Sequence, residues 1–276
     1  MGVNSMKRFG KLLAVSAVAA MVLTGCGGVS EEMLAERESA INMMENGDYE
    51  GAVAVFNELV ADAESVTDFE LDILKYRAEA EYLLGDYAAA AYSYDILNQV
   101  DEERAEYCYF SALSYAKSGD IAGAQEMLEK GKVLDGLSES EDTAKKKKSE
   151  ETDTATAGYM EAMIAIGNAL SESGDKTGAG LIYDEVIQSG FATTEIYNRL
   201  MRDSMENGDY VTALDLAGKG LALSDGLALR ELKFNEAVCY EYLGNWEKAL
   251  ALFESYVAEF GSDEKAEHEI AFLKTR

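Results

Sequence analysis

The sequence predicts an all-α fold, an α-solenoid of about six helix-turn-helix units followed by a capping helix. A signature of Gly, then Asp or Asn, then Ala five residues after the Gly, occurs six times. Its glycines are spaced 38, 34, 55, 34 and 36 residues apart, at Gly47, Gly85, Gly119, Gly174, Gly208 and Gly244. Self-similarity at such a period indicates stacked repeats. The 276 residues include no proline, so helices can continue without a breaker.

Each residue of the signature has a physical role at the turn between two helices, which we call helix A and helix B. Gly supplies the positive φ that ends helix A, and Asp or Asn caps helix B by accepting hydrogen bonds from its free N–H groups. The position seven before the Gly is small in five of six copies, and the position nine after it is large and apolar in five of six. The first position holds Ala40, Ala78, Ala112, Gly167, Met201 and Ala237, and the second holds Phe56, Tyr94, Leu128, Tyr183, Ala217 and Phe253.

This pattern resembles the tetratricopeptide repeat, a helix-turn-helix unit of 34 residues. The resemblance covers about residues 31–260 and implies a right-handed solenoid in which helix A residues line a concave groove. It implies repeats 1–3 over residues 33–136 and repeats 4–6 over residues 158–261. The chain lacks the proline that often follows helix B in this family. The sequence therefore does not determine the last residue of each helix B to better than a few positions.

Two segments lie outside the repeats. The spacing of 55 residues between Gly119 and Gly174 indicates an insertion over residues 137–157. This insertion has almost no large apolar residues, which predicts a disordered, charged loop. The four lysines at 145–148 are either a solvated stretch or a contact for an acidic polymer, a headgroup or the protein's own acidic wall. Residues 262–276 carry an apolar stripe at helical spacing and predict a helix that covers the end of the last repeat.

The N-terminus predicts export. Residues 1–25 combine a basic start with an apolar run at residues 12–23. This run is shorter than the roughly 20 residues that a membrane span needs, so we interpret residues 1–25 as a signal peptide. Either Met1 or Met6 could be the start.

The end of that signal predicts a lipid anchor. Leu23-Thr24-Gly25-Cys26 resembles the lipobox of bacterial lipoproteins. The resemblance implies a diacylglycerol thioether on Cys26, cleavage before it, and a flexible tether over residues 26–32. Two or three acyl chains anchor a protein stably, whereas one binds only marginally.

The charge and the chemistry-bearing residues exclude several functions. The net charge is −28, and because residues 1–25 contribute +3, the part from Cys26 onward carries −31. Such a surface repels nucleic acids and anionic headgroups. We expect no cofactor, metal site or catalytic residue: the one histidine, His268, is expected to be exposed, and Cys108 and Cys239 are expected to be buried and too far apart to pair.

The candidate groove residues come from counting back along helix A. An acid stands thirteen residues before the Gly in five of six repeats. It would favour a basic partner, or it would only complement the helix dipole in the first turn. Lys75 is followed one turn later by Glu79, so the family's carboxylate-binding clamp is not expected. The candidates are Asp72, Tyr82, Glu106, Tyr109, Leu113, Glu161, Ile164, Glu195, Asn198, Arg202, Glu231, Phe234 and Tyr242.

These features together predict a lipid-anchored, extracytoplasmic protein-binding scaffold or adaptor on a cell membrane or outer membrane, in cell-envelope, secretion or pilus-type assembly. The partner would be another protein or peptide segment, basic or apolar. The alternative is a regulator or accessory subunit of a cell-wall enzyme. A solute-binding lipoprotein would instead have α/β lobes.

Overall fold

The computed structural model describes residues 29–136, 150–223 and 225–276. Over these ranges the chain forms thirteen α-helices and no strand, which confirms the all-α prediction. None of these helices has the length and apolarity needed to cross a membrane. The signal peptide, Cys26 and the rest of the tether up to residue 28, and the lysine cluster lie outside the described residues.

The described residues up to 182 form a compact first unit. Its consecutive helices pack against one another from α1 to α7, and α1 also contacts α3 while α5 contacts α7. Helix A of one repeat therefore touches helix A of the next, as expected when each repeat packs on its neighbour. The helices are α1 Glu31–Glu45, α2 Tyr49–Ala61, α3 Asp68–Leu84, α4 Tyr87–Val100, α5 Ala105–Ser118, α6 Ile121–Asp135, α7 Glu150–Ser173 and the start of α8 Lys176–Gln188.

Residues from 183 onward form a second unit. Consecutive helices again pack from α9 to α13, and α9 contacts α11. The predicted capping helix is present as α13, whose Ala266 and Leu273 join the apolar cluster around Phe253 of α12. The helices are α9 Thr194–Glu206, α10 Tyr210–Leu221, α11 Leu229–Tyr242, α12 Trp246–Phe260 and α13 Glu264–Leu273.

The structure corrects two predicted boundaries. We expected the insertion to separate repeats 1–3 from repeats 4–6, but α5 and α6 pack on α7, and the two compact units divide within α8. The predicted loop over residues 137–157 is also too long, because α7 already begins at Glu150.

The turns match the predicted chemistry in all six repeats. Every signature glycine has a positive φ, between 75° and 96°. The following Asp or Asn accepts a hydrogen bond from the backbone N–H three residues on, at 2.9–3.3 Å. The signature alanines are fully buried: Ala52, Ala90, Ala124, Ala179, Ala213 and Ala249.

Candidate partner-binding surface

The helices that carry the candidate groove residues are the helix A members of each repeat, α1, α3, α5, α7, α9 and α11. Asp72 of α3 is neutralised across the first repeat boundary, because its Oδ2 lies 2.6 Å from Nε of Arg37 in α1. The same guanidinium lies 5.2 Å from the ring centroid of Tyr76. Asp72 therefore ties two helices together rather than offering an unpaired charge to a partner.

The row of acids divides into two groups by position. Glu106, Glu195 and Glu231 stand in the first turns of α5, α9 and α11, where the helix dipole favours them. Asp72 is the fifth residue of α3, and Glu161 lies in the middle of α7. The dipole alone therefore accounts for three of the five acids.

Three candidates are buried, which corrects their assignment to a partner-contacting surface. Tyr109 is 1% exposed, and its hydroxyl donates a 2.8 Å hydrogen bond to Asp135 of α6. Leu113 is 5% exposed, and Asn198 accepts a 3.0 Å hydrogen bond from Asn235 Nδ2. Neighbouring helices cover these side chains, so none of the three offers a side chain for a partner to contact.

Phe234 also turns mainly to the core. It is half-buried and packs edge-on against Phe253 at 5.3 Å and Tyr256 at 5.6 Å between ring centroids. Its packing stabilises the junction of α11 and α12, and only part of the ring reaches the surface.

The accessible candidates differ between the two units. In the first unit Tyr82, Glu106, Glu161 and Ile164 are half-buried. In the second, Glu195 is half-buried with an ion pair to Arg199, while Arg202, Glu231 and Tyr242 are exposed.

Tyr242 is the most open aromatic candidate. Its side chain is 67% exposed, yet its ring stacks on Tyr210 with centroids 4.6 Å apart and planes 13° apart. The stack holds a large apolar surface in one orientation at the end of α11, so this side chain is suited to binding a partner without further ordering.

Sequence reasoning missed a buried acid on the same set of helices. Glu79 of α3 is 8% exposed, and burial raises the pKa of its carboxyl to about 7. No sequence signal marked its burial, because the position six residues before the turn Gly is mixed in the other repeats: Ile41, Leu113, Asn168, Arg202 and Val238.

The cysteines and the histidine occupy the expected environments. Cys108 and Cys239 are unpaired and buried, and burial raises the pKa of their thiols to about 11 and about 12. His268 is exposed on α13, with 79% of its side chain accessible. Within the described ranges, no group of three or more His, Cys, Asp or Glu side chains is placed to hold a metal ion.

Comparison with known families agrees with this architecture. Residues 39–98 and residues 231–262 each match the tetratricopeptide repeat family. The chain contains tetratricopeptide repeats. Such repeats are typically non-catalytic scaffolds that bind protein partners or peptides. No curated protein matches the chain by sequence.

Three solved structures extend the likeness to most of the chain. The C-terminal part of a repeat protein from Cytophaga hutchinsonii aligns with a TM-score of 0.59 and 17% identity, covering 87% of this chain and 88% of that one. PilW, a widely conserved type IV pilus biogenesis factor, aligns at 0.56 and 14%, covering 89% and 99%. A tetratricopeptide repeat protein from Parabacteroides merdae aligns at 0.50 and 15%, covering 88% and 84%. At these identities the likeness concerns the fold.

Proposed function

We propose that this protein is a lipid-anchored, extracytoplasmic scaffold or adaptor that binds another protein through its helix A residues, in a cell-envelope, secretion or pilus-type assembly. The observation that carries the proposal is the open, stacked Tyr242 ring beside Tyr210 on a tetratricopeptide repeat unit. Tyrosine anchors of this kind supply much of the binding energy at protein interfaces, since they bury a large area at little entropic cost.

The chemistry of the partner follows from the charge. The exported part carries −31, and the accessible helix A residues of the first unit include Glu106 and Glu161. Charge complementarity speeds association and suppresses wrong partners, so this surface suits a basic or apolar segment.

The anchor and the location rest on the sequence at Cys26. A signal-like segment followed directly by Leu23-Thr24-Gly25-Cys26 supports lipidation and retention at the outer face of a cell membrane or in an outer membrane. PilW, a type IV pilus biogenesis factor, has a similar fold, which supports a role in a pilus-type assembly.

The binding proposal is tested with two matched tyrosine variants. Tyr242 and Tyr92 are 67% and 66% exposed, but Tyr242 ends a helix A while Tyr92 lies on the helix B α4. After crosslinking in cells, we expect Tyr242→Ala to lose the captured partner at least tenfold and Tyr92→Ala to retain it. Equal capture by both variants would show that this tyrosine does not bind the partner.

The acidic residues are tested in the same assay. Reversing Glu106, Glu161 and Glu195 to Lys should reduce capture of a basic partner, since each reversal replaces an attraction by a repulsion. Undiminished capture would contradict the charge argument while leaving the tyrosine argument intact.

The anchor is tested separately. Cys26→Ser removes the lipid attachment atom and should move the protein from the membrane fraction to the soluble fraction. A variant that still sediments with membranes would refute the lipid anchor.

A further inference from the structure

The sequence Met-Glu-Asn-Gly-Asp-Tyr occurs twice in the chain, at residues 44–49 and at residues 205–210. The copies span the turns between helix A and helix B in repeats 1 and 5, and no Asn outside them precedes a Gly. The turn itself does not require Asn, because the residue before the turn Gly in the other repeats is Leu or Ser: Leu84, Ser118, Ser173 and Leu243.

An Asn that is followed by Gly can modify its own backbone. The backbone nitrogen of the Gly attacks Cγ of the Asn side chain and gives up its proton to water, while the side-chain nitrogen leaves as ammonia. Water then opens the resulting succinimide ring at one of its two carbonyl carbons, which yields either Asp or isoaspartate. Gly hinders the attack least, because it has no Cβ.

Both Asn-Gly bonds are exposed, and both turns engage the attacking nitrogen. The N–H of Gly47 donates a 3.0 Å hydrogen bond to the backbone oxygen of Met44, and that of Gly208 donates a 2.9 Å hydrogen bond to Met205. The reaction therefore requires the turn to open. Exposed helix ends open locally at a low cost in free energy, so this step occurs in the folded protein.

The two copies differ in what holds the Asn side chain. Nδ2 of Asn46 donates a 2.7 Å hydrogen bond to the backbone oxygen of Asn42, one helical turn back in α1. Among the residues that the structure describes, the side-chain amide of Asn207 makes no hydrogen bond. The Asn46 amide must therefore break this bond before its Cγ can meet the Gly nitrogen, whereas the Asn207 side chain is free to turn as soon as its backbone opens.

Asn207 lies next to the tyrosine surface of the second unit. Tyr210 stands three residues after it, and the Tyr210 ring stacks on Tyr242 with centroids 4.6 Å apart. Isoaspartate adds one methylene to the backbone of this turn and a negative charge at the C-terminal end of α9, where the helix dipole disfavours it. Both changes disturb the turn that positions Tyr210, so the stack that holds Tyr242 is lost.

We propose that Asn207 is a site of spontaneous modification, at which deamidation through a succinimide yields isoaspartate and disables the Tyr210 and Tyr242 surface. Asn46, in the same six-residue sequence, is protected by its bond to Asn42. The loss of binding rests on the proposed protein-binding function, whereas the chemistry at Asn207 does not depend on it. Water is the only co-reactant, and ammonia is the product that leaves.

The chemistry is tested by incubating the full-length protein at mildly alkaline pH and analysing samples by mass spectrometry. Cleavage after Lys and Arg places the two sites on separate peptides, residues 38–75 and residues 203–219. Conversion is measured by the mass gained when an amide becomes an acid, and fragment ions locate it and distinguish isoaspartate from Asp. The same protein in urea gives the rate of each site without the fold, and each folded rate is divided by its own rate in urea.

We expect the two sites to convert at equal rates in urea, because their local sequences are identical. In the folded protein we expect the normalised rate at Asn207 to exceed that at Asn46 by about two- to tenfold, the factor that corresponds to one net intramolecular hydrogen bond. Asn46 converting as fast as Asn207 would overturn the protection by Asn42. A folded protein that forms no isoaspartate at Asn207 would overturn the site itself.

Two serine variants connect the chemistry to partner binding. Asn207→Ser and its matched control Asn46→Ser introduce the residue that repeats 3 and 4 carry at this position. Incubated protein is added to cell envelopes before crosslinking. We expect wild type and Asn46→Ser to lose capture in proportion to the isoaspartate formed at Asn207, and Asn207→Ser to retain it.

The same assay separates failure of this inference from failure of the proposed function. If Asn207→Ser loses capture on incubation as much as wild type does, modification of Asn207 does not disable the surface, and the scaffold function stands. If freshly prepared wild type captures no partner, the scaffold function fails, and the peptide measurement still decides whether Asn207 modifies itself.

Discussion

Replacing Glu79 by Gln should make the first unit less sensitive to a rise in pH from acid to neutral. Burial raises the pKa of Glu79 from its ordinary 4.5 to about 7 in the folded protein. The folded state therefore binds more protons than the unfolded state between these values, and the Glu79 contribution to stability falls as pH rises from 4.5 to 7. At about 1.4 kcal/mol per unit, ionising Glu79 costs up to about 3 kcal/mol above pH 7.

Glutamine keeps the size of the side chain and removes its titration. We expect the free energy of unfolding of Glu79→Gln minus that of wild type to increase by up to about 3 kcal/mol between pH 4 and pH 8. Urea unfolding followed by helical circular dichroism at a series of pH values measures this difference. Glu58→Gln, at an exposed position on α2, should show no comparable trend. A difference that stays constant from pH 4 to pH 8 would refute the assignment of Glu79 as a buried, unpaired acid.

Four further substitutions test the packing and the helix caps of the repeats. A Cβ on Gly131 would lie 2.4 Å from Cε1 of Tyr109, so Gly131→Ala should lower the free energy of unfolding by about 1–3 kcal/mol. Gly218→Ala is the matched control. No atom lies within 4 Å of a Cβ at this position, so the substitution should raise the free energy of unfolding by about 0.5–1 kcal/mol. Ala213→Leu at a fully buried crossing should also cost about 1–3 kcal/mol, and an unchanged melting temperature would argue against the repeat register. Asp86→Ala removes the cap of α4 and should cost about 1 kcal/mol in denaturant unfolding, whereas a loss near zero would mean that water replaces the cap without cost.

The local chemistry of each repeat was readable from the sequence. The turn glycines, the Asp and Asn caps and the small residues at the helix crossings all act within one helix-turn-helix unit, so their spacing was sufficient to predict them. The capping helix was equally predictable, because its apolar stripe has no other partner than the end of the last repeat. The lipidation of Cys26 is inferred from a sequence motif alone, and it remains a prediction.

The tertiary structure decided which side chains remain accessible and where the units divide. Tyr109, Leu113 and Asn198 have the same positions within their repeats as candidates that lie at the surface, but helices from elsewhere in the chain cover them. The spacing of residues within one repeat cannot predict which side chains other helices bury. The division inside α8 likewise depends on α5 and α6 packing on α7, contacts made across the insertion. Glu79 shares its repeat position with the exposed Arg202, so its burial is decided by the helices packed around it and not by its place in the repeat.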